Sequence, residues 1–515
     1  MTIAEMLARN ASMYPGDCAL IELRPGKKIR EEITWKEFDE RANRVANALI
    51  EMGIGKGDRV IHLMMNSINW LEAYFGIIRT GAWAVPLSFR FTSSEIKYCV
   101  DISEAKAMIL GEEFTDRVGA VRSQLPTVEN YIFVGQHVPE GMEDFADVVA
   151  RSPARPLDVE LNDEDTCGLY FTSGTTGDPK PIVLTHKNME WAAITEQRHH
   201  YQKREDNFIL LPPLYHTGAK MHWFGSLIVA GRATILTEIS PQYIFETVHQ
   251  ERGTIVWLLV PWVQDILGAM DRGELKRDDY DLSCWRLMHI GAQPVPPSLV
   301  KHWKEYFPDM QYDTNYGLSE STGPGCVHLG IENEHKVGAI GKAGYGWEVR
   351  IVDDNGEDVT QGENGELIVK GNGVMKGYYK NPASTAETIK DGWLYTGDVA
   401  RMDSDGFIYL TDRKKDVVIT GGENIYPVEL EDILQSHPKI YDVAVIGLPD
   451  ERLGEIAAAV IDPNPGETLT EEEVSAFCEQ NLPRFKQPRR IIFDKVPRNP
   501  TGKIEKPKLR KKYTG

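Results

Sequence analysis

Residues 170–180 read Tyr-Phe-Thr-Ser-Gly-Thr-Thr-Gly-Asp-Pro-Lys, a stretch rich in hydroxyl groups and glycine that ends in a lysine. Gly174 and Gly177 allow tight turns that aim backbone N–H groups at one point. Lys180 adds a positive charge near that point. The hydroxyl donors around it are Thr172, Ser173, Thr175 and Thr176. The pattern favours a phosphate-binding loop, and the alternative is an ordinary surface loop, because loops often contain such clusters.

The loop differs from the Walker A loop of P-loop NTPases. Walker A requires glycine before its lysine and serine or threonine after it. Here Pro179 and Pro181 flank Lys180. Pro181 also lacks a backbone N–H and restricts Lys180 to extended conformations. The ordinary P-loop interpretation therefore fails.

Length and charge limit the function classes that fit the chain. With 515 residues it is too long for one hydrophobic core, and about three domains or subdomains are expected. Its composition, 42% apolar and 26% charged, is that of a globular protein. The net charge of -20 argues against general attraction to nucleic acid or an anionic membrane. Phosphate binding must therefore depend on locally placed cations.

Cysteine spacing and the N-terminus favour a cytoplasmic protein. The six cysteines are scattered without a Cys-x-x-Cys pair, which argues against a disulfide framework and a zinc ribbon. The N-terminus lacks a basic region followed by an apolar core, and no apolar run approaches the roughly 18 residues of a membrane span. We therefore expect reduced thiols and no integral membrane association.

Helices and strands alternate over most of the chain. Apolar residues recur at helical spacing over residues 34–52, and Gly53 supplies a stop. A strand at 59–65 and a helix at 69–79 follow. The alternation resumes after the glycine-rich loop, with a helix at 189–201 and a strand at 254–260. This alternation predicts a parallel sheet with helices packed against it.

The pattern changes to short, glycine-punctuated segments after about residue 335, which indicates antiparallel strands. The last part of the chain forms an α+β unit of about 100 residues. Its helices are predicted at 427–436 and 471–481, and its strands at 440–446, 455–461 and 489–493.

The predicted fold class of the whole chain is α/β. A large N-terminal domain (residues 1–412) has parallel α/β subdomains and a small β-barrel-like subdomain at about 335–412, and a small α+β C-terminal domain follows (residues 413–515).

Four further motifs follow the loop in order. They are Tyr-Gly-Leu-Ser-Glu at 316–320, Tyr-Thr-Gly-Asp at 395–398, Asp-Arg-Lys-Lys-Asp at 412–416 and Pro-Arg-Asn-Pro-Thr-Gly-Lys-Ile at 497–504. Together they resemble the adenylate-forming superfamily of acyl-CoA synthetases, peptide-synthetase adenylation domains and luciferases. The AMP-dependent acyl-CoA synthetase branch matches best, extending to Gly-Ala-Gln-Pro at 291–294 and Gly-Gly-Glu-Asn at 421–424.

The resemblance implies an AMP-forming acyl-CoA synthetase. ATP and a carboxylic acid give acyl-adenylate and pyrophosphate, and CoA then gives acyl-CoA and AMP, with Mg2+ as cofactor. Because the first step brings an anionic carboxylate toward an anionic triphosphate, the site must supply cations and oriented dipoles.

The resemblance also implies roles for individual nucleotide-site residues. Glu320 would bind Mg2+, because a carboxylate suits this hard cation. Asp398 would accept hydrogen bonds from both ribose hydroxyls, and Tyr316 would stack on adenine. The predicted catalytic residues are Lys503, Glu320, Thr172 and His216. The predicted ATP- and AMP-binding residues are Thr172, Ser173, Gly174, Thr175, Thr176, Gly177, Lys180, Gly291, Ala292, Gln293, Asn315, Tyr316, Gly317, Leu318, Ser319, Glu320, Asp398, Arg413 and Lys503.

The predicted acyl pocket favours an acid larger than acetate. Gly317 occupies the position at which acetyl-CoA synthetases carry tryptophan, and no acidic residue between Tyr215 and Leu227 is available to pair with the amino group of an amino acid. A medium-chain, alicyclic or aromatic acid is favoured, although Lys220 and His222 leave a dicarboxylate or hydroxylated ring open. The pocket residues are predicted as His216, Met221, Trp223, Phe224, Gly291, Gly317 and Leu318.

The C-terminal domain would be mobile, with Lys415 as its hinge. In the family this domain rotates after adenylation, and Gly421, Gly422 and Glu423 would then line the CoA tunnel. The expected partners are a small carboxylic acid and CoA, with a homodimer left open. One alternative is an acyl-adenylating enzyme that loads a separate carrier protein. A non-catalytic nucleotide-binding regulator is the other, and Lys503 argues against it.

Overall fold

The computed structural model describes residues 1–172, 179–498 and 504–514. Some predicted site residues lie outside these described residues. They are Ser173, Gly174, Thr175, Thr176 and Gly177 of the phosphate loop, and Lys503.

The helices and strands alternate as expected through the first part of the chain. Up to residue 172 they are α1 (Ile3–Met13), β1 (Cys18–Arg24), β2 (Ile29–Thr34), α2 (Trp35–Glu51), β3 (Arg59–Leu63), α3 (Ile68–Arg79), β4 (Trp83–Pro86), α4 (Ser93–Ser103), β5 (Ala107–Gly111), α5 (Thr115–Gly119), β6 (Asn130–Val134), β7 (Glu143–Asp144), α6 (Phe145–Arg151) and β8 (Thr166–Thr172). From residue 180 to 328 they are β9 (Lys180–Thr185), α7 (His186–His200), β10 (Asn207–Leu210), α8 (Thr217–Ile228), β11 (Arg232–Leu236), α9 (Pro241–Glu251), β12 (Ile255–Leu259), α10 (Val260–Asp271), β13 (Leu287–Gly291), α11 (Pro297–Tyr306), β14 (Gln311–Asp313), β15 (Asn315–Leu318) and β16 (Gly323–His328).

Strands dominate the next part of the chain, and a mixed unit ends it. These elements are β17 (Lys342–Ala343), β18 (Trp347–Val352), β19 (Gly365–Gly371), β20 (Gly377–Tyr378), α12 (Pro382–Thr388), β21 (Ile389–Lys390), β22 (Trp393–Met402), β23 (Ile408–Arg413), β24 (Val418–Thr420), β25 (Glu423–Ile425), α13 (Pro427–Gln435), β26 (Ile440–Asp450), β27 (Gly454–Pro463), α14 (Glu471–Asn481), β28 (Arg490–Phe493) and α15 (Lys506–Tyr513).

Two large sheets form the N-terminal domain. One has the strand order β20-β9-β8-β4-β3-β5-β6-β7, and the other has the order β14-β13-β12-β10-β11-β1-β2. Strands β8 to β7 of the first sheet and β14 to β1 of the second are parallel to their neighbours. Antiparallel pairs complete one edge of each sheet, through β9 and β20 in the first and through β2 in the second. The predicted parallel α/β organisation is confirmed.

Helices α2, α3, α7 and α8 contribute to one hydrophobic core, which extends onto strands of both large sheets. The ends of two of these helices follow from capping. Thr34 caps α2 in a capping box with Glu37, and Thr185 caps α7 in the same way with Asn188. The cap at Thr185 explains why α7 starts at His186, three residues before the predicted start.

The predicted change to antiparallel strands is also confirmed. Strands β18, β19, β22, β21 and β23 form one antiparallel sheet, and β15, β16 and β17 form a second. The small C-terminal domain contains the sheet β25-β24-β27-β26, with β28 parallel to β27. Strand β26 continues to Asp450, beyond the predicted end at 446, because it stays paired with β27 up to the turn at Gly454.

The chain passes from one set of contacts to another around Lys415. Just before it, the backbone N–H of Lys414 donates to Gly397 O at 2.8 Å, and Lys414 Nζ lies 2.7 Å from Asp354 Oδ1. Just after it, Asp416 Oδ1 pairs with Arg510 Nη1 on α15 at 2.7 Å. Lys415 thus lies between a residue held by the antiparallel sheet and a residue held by the last helix.

Candidate active site

The predicted phosphate loop connects the paired strands β8 and β9. Thr172 lies opposite Lys180 in this pair, and Thr172 Oγ1 lies 3.4 Å from Lys180 O. Pro181 lies opposite Phe171, and its carbonyl accepts the N–H of Tyr379 at 2.9 Å. The register therefore places the Lys180 side chain at the base of the loop, beside the neighbouring strand β20.

Tyr378 on β20 links Lys180 to Glu320. Lys180 Nζ lies 5.2 Å from the centre of the Tyr378 ring, a distance typical of a cation–π contact. The Tyr378 hydroxyl donates to Glu320 Oε1 at 3.0 Å. Burial, with Glu320 beside it, raises the pKa of Tyr378 above its ordinary value, so the hydroxyl keeps its proton. Tyr378 was not among the site residues predicted from the sequence.

Asp398 and Arg413 pair directly across β22 and β23. Arg413 Nε lies 3.0 Å from Asp398 Oδ1, and the Tyr316 hydroxyl donates to Asp398 Oδ2. Burial, with Asp398 beside it, raises the pKa of Tyr316 well above its ordinary value. The structure thus brings three predicted nucleotide residues into one hydrogen-bonded group, although Tyr316 lies about 80 to 100 residues before the other two in sequence.

The loop after β13 contacts the C-terminal domain. Gly291 ends the strand, and Ala292 has a φ of 70°, in the left-handed region that non-glycine residues seldom adopt. The Oε1 atom of Gln293 accepts a hydrogen bond from Arg498 Nη1 at 2.9 Å. Arg498 also pairs with Asp442 of β26, with its Nη2 2.6 Å from Asp442 Oδ1. Arg498 therefore joins the two domains at the predicted nucleotide site, five residues before Lys503.

Residues 315–319 lie on or beside β15. Asn315 points toward buried α7, where its Nδ2 donates to Glu196 Oε1 at 2.9 Å. The N–H of Leu318 donates to Ser321 Oγ at 2.8 Å, which fixes the turn that carries Ser319. Gly317 is half-buried between Tyr316 and Leu318.

His216 immediately precedes α8 and is held by Lys220 of that helix. Lys220 Nζ donates to His216 O at 3.0 Å and to Leu214 O at 2.9 Å. The same Nζ lies among three aromatic rings, with 5.6 Å to Trp70, 5.6 Å to Tyr74 and 4.6 Å to Tyr170. Burial, together with Lys220, lowers the pKa of His216 to about 3, so its imidazole is neutral at neutral pH.

The other predicted pocket residues on α8 are fully buried. Phe224 packs against Phe75 of α3 with ring centres 5.8 Å apart, and Trp223 packs against Phe224 at 5.3 Å. Met221 belongs to the same core. Gly291 faces Trp257 and His289, each of which has a side-chain nitrogen 3.8 Å from where a Cβ on Gly291 would lie. The assignment of these residues to an acyl pocket stays a prediction.

The predicted CoA residues form an exposed turn between β24 and β25. Gly421 and Gly422 have φ values of 59° and 90°, and the N–H of Gly421 donates to Leu453 O at 2.8 Å. Glu423 is exposed beside them. Positive φ at two successive positions explains why this turn uses glycine.

A large nucleotide-site domain with a small domain docked on it is the arrangement expected of an adenylate-forming enzyme. A family model described as AMP-binding enzyme matches residues 7–379, and a model described as AMP-binding enzyme C-terminal domain matches residues 429–503. The chain therefore belongs to the AMP-binding enzyme family.

Relatives and solved structures cover nearly the whole chain. It is 31% identical to the long-chain-fatty-acid–CoA ligase FadD13 of Mycobacterium tuberculosis (strain CDC 1551 / Oshkosh), over 99% of this chain and 98% of that protein. It is 34% identical to a feruloyl-CoA synthase of Amycolatopsis sp, over 93% of this chain and 94% of that protein. A solved anthranilate CoA ligase, AuaEII, in complex with anthranoyl-AMP superposes with a TM-score of 0.91 at 26% identity, covering 99% of this chain and 97% of that chain.

These comparisons confirm the predicted superfamily and the predicted AMP-forming acyl-CoA ligase activity, with ATP and CoA as substrates. Among the described residues, no helix has both the length and the apolar character needed to span a membrane.

We expect Tyr378→Phe to weaken use of ATP, because it removes the hydrogen bond that orients Glu320. A hydrogen bond to a charged group contributes about 1.5–3 kcal/mol, so kcat/KM for MgATP should fall roughly 10- to 150-fold in a pyrophosphate-release assay. Tyr379→Phe is the matched control, because Tyr379 packs its ring against Trp83 at 5.6 Å. Equal losses in the two variants would contradict the role of Tyr378.

Proposed function

We propose that this AMP-forming ligase activates a carboxylic acid larger than acetate, with a medium-chain, alicyclic or aromatic body, and transfers it to free CoA. The observation that carries the adenylation part of the proposal is the presence of two groups, Lys180–Tyr378–Glu320 and Tyr316–Asp398–Arg413, in a chain whose small domain contacts the large one through Arg498. The known substrates of relatives add support, since those proteins are named for feruloyl, anthranilate and long-chain fatty acids.

In the proposed adenylation step, cations of the chain offset the charge of the nucleotide. Lys180 would contact the β- and γ-phosphates, and Lys503 would reach the α-phosphate and the carboxylate. Asp398 would accept hydrogen bonds from the ribose hydroxyls, while Arg413 and Tyr316 hold its carboxylate in place. Fixed donors and charges of this kind stabilise the charge that develops in the transition state.

Glu320 has the chemistry expected of a Mg2+ ligand. A carboxylate oxygen is the ligand type that Mg2+ prefers, and Tyr378 orients this carboxylate beside Lys180. When bound, the ion supplies positive charge against the triphosphate. Glu320 would hold it, and Tyr378 would hold Glu320.

We propose that the small domain, residues 413–515, rotates about Lys415 between the two half-reactions. The contacts of Lys414 with the antiparallel sheet and of Asp416 with α15 support this position for the hinge. Rotation would withdraw Arg498 and Lys503 and bring Gly421, Gly422 and Glu423 to the tunnel for CoA.

We also propose a cytoplasmic location, which the free thiols of all six cysteines support.

The acid itself would meet a largely neutral, apolar wall. His216 is neutral, and Lys220, whose pKa burial lowers well below its ordinary value, is held by backbone carbonyls and aromatic rings. These contacts argue against Lys220 as a partner for the second carboxylate of a dicarboxylic acid. Apolar burial of about 0.8 kcal/mol per methylene would then set the preference among acids.

The direct test is a panel of acids assayed for AMP formation with and without CoA. We expect CoA-dependent AMP release with octanoate, cyclohexanecarboxylate, benzoate and ferulate, and the lowest kcat/KM with acetate. Each added methylene of a linear acid should raise kcat/KM about fourfold until the pocket is full. Product found on a carrier-protein phosphopantetheine, with none on CoA, would favour the carrier-loading alternative.

Lys503→Ala should separate the two half-reactions. We expect acid-dependent pyrophosphate release to fall at least about 100-fold, because the variant lacks the cation that would offset charge on the reacting oxygens. CoA transfer from supplied acyl-adenylate should stay within about twofold, because Lys503 would face away in that step. Lys511→Ala, at an exposed position on α15, is the control. Equal loss of both half-reactions would contradict the proposed rotation of the small domain between them.

Gly317→Trp should shift the enzyme toward short acids. The indole would occupy space that the proposed pocket offers to the acyl chain, so kcat/KM should fall for octanoate and benzoate relative to acetate and propionate. KM for ATP, measured with a short acid, serves as the control for nucleotide binding. An unchanged profile of acid preference would place the pocket elsewhere.

A further inference from the structure

A cluster of six titratable side chains lies behind the predicted acyl pocket, and all six are fully buried. Its members come from five elements of the large domain. They are Glu196 and His200 on α7, His222 on α8, His289 on β13, Asp313 at the end of β14 and His328 at the end of β16. Of these six, only His222 was considered for the active site from the sequence, as a possible contact for a polar group of the substrate, and the proposed reaction uses none of them.

Hydrogen bonds fix which nitrogen of His200 carries the proton. His200 Nε2 lies 2.9 Å from Asp313 Oδ2 and 3.1 Å from His289 Nδ1. A carboxylate oxygen accepts, so the proton of a neutral His200 lies on Nε2. His200 Nδ1 then carries a lone pair, and it lies 3.4 Å from Glu196 Oε2.

Asp313 orients His328 in the same sense. His328 Nδ1 lies 3.0 Å from Asp313 Oδ2. A carboxylate oxygen accepts, so the proton of a neutral His328 lies on Nδ1 and its Nε2 carries a lone pair. The two amide hydrogens of Asn315 have nearer acceptors, because Asn315 Nδ2 lies 2.9 Å from Glu196 Oε1 and 3.2 Å from His222 Nε2 but 3.4 Å from His328 Nε2.

Three electron-rich atoms therefore converge. Glu196 Oε2 lies 3.4 Å from His200 Nδ1 and 3.9 Å from His328 Nε2, and Glu196, His200 and His328 each have a ligand atom within 4.8 Å of the others. Among the described residues, neither Glu196 Oε2 nor His200 Nδ1 has a hydrogen-bond partner. Buried acceptors without partners are unfavourable, and a cation between them would satisfy both.

The spacing fits a transition-metal ion. Metal–ligand bonds of about 2.0–2.2 Å in a tetrahedral site place ligand atoms about 3.3–3.6 Å apart. The observed separations of 3.4 and 3.9 Å are close to this range and exceed the usual hydrogen-bond length. A divalent ion would also balance the two formal negative charges of Glu196 and Asp313.

We propose that Glu196, His200 and His328 bind one divalent transition-metal ion of the zinc class. Imidazole and carboxylate ligands suit such ions. Asp313 would not touch the ion, but it accepts a hydrogen bond from His200 and so orients that ligand, as in carboxylate–histidine–metal groups. The ion would cross-link α7 to β16 behind the strand that ends at Gly291, so its role is structural.

The cluster partner His222 is already saturated by other bonds. Its Nδ1 lies 2.7 Å from Gly218 O, and its Nε2 lies 2.9 Å from His289 Nε2. Asn315 Nδ2 lies 3.2 Å from the same His222 Nε2. Because these contacts account for both nitrogens, His222 and His289 are assigned to the surrounding hydrogen-bond network and not to the ion.

The test measures metal in the full-length protein without ATP or Mg2+. Chelator-treated enzyme would be loaded with Zn2+, or with Co2+ as a spectroscopic probe, and gel-filtered before elemental analysis. We expect one equivalent per chain, a visible Co2+ absorption band, and a thermal midpoint that falls on chelation and recovers with Zn2+. Less than about a tenth of an equivalent in the wild type would overturn the proposal and leave a metal-free hydrogen-bonded network.

Matched variants locate the ion. Glu196→Gln and His328→Gln should retain less than about a tenth of the wild-type Zn2+, and Asp313→Asn should weaken Zn2+ affinity about 10- to 100-fold. His302→Gln should bind like the wild type, because His302 pairs with Asp271 at the surface. Circular dichroism checks that each variant is folded. If a cluster variant does not fold, the Zn2+ stoichiometry of the wild type decides whether the ion is bound. Wild-type metal content in folded Glu196→Gln and His328→Gln would also refute the assignment.

Discussion

The pairing of Asp398 with Arg413 across β22 and β23 is the contact on which the proposed nucleotide site depends. The antiparallel register sets the two residues opposite each other, and Tyr316 joins them from another sheet. Ionised side chains buried without partners would be strongly unfavourable, whereas this group satisfies both carboxylate oxygens. Arg413 also ends β23, two residues before Lys415. The strand that carries the proposed nucleotide contact thus leads directly into the proposed hinge.

Sequence patterns predicted the parts of the fold and site that depend on local chemistry. The bounds of α2 follow from apolar spacing and a capping box, and the motifs containing Asp398 and Arg413 identified residues that the structure then brings together. Tyr378 was missed because it lies on a two-residue strand far from Glu320 in sequence. Its position depends on the pairing of β20 with β9, which no local pattern encodes.

The buried cluster shows a further limit of sequence reasoning. Only Glu196 and His200 could be linked from the sequence, because they lie four residues apart on one helix, whereas the other members lie on four separate elements.

Lys220 and His222 also differ from expectation, because tertiary packing decides where their side chains point. Their sequence context suggested contact with a polar substrate group, but α8 directs Lys220 toward the aromatic rings of Trp70, Tyr74 and Tyr170, and His222 toward His289.

The contacts of Arg498 suggest how the proposed rotation avoids a large energetic cost. Its ion pair with Asp442 lies within the small domain and would move with it, whereas its hydrogen bond to Gln293 crosses the domain boundary. The backbone N–H of Val428 also donates across the hinge, to Asp412 Oδ2 at 3.0 Å. Each hydrogen bond to a charged group costs about 1.5–3 kcal/mol to break, part of which water recovers at a partly exposed boundary. Binding of CoA can supply a free energy of that size. A domain held by hydrogen bonds of this kind can dock for adenylation and still undock within a catalytic cycle, because the ion pair between Arg498 and Asp442 moves with the small domain and need not be broken.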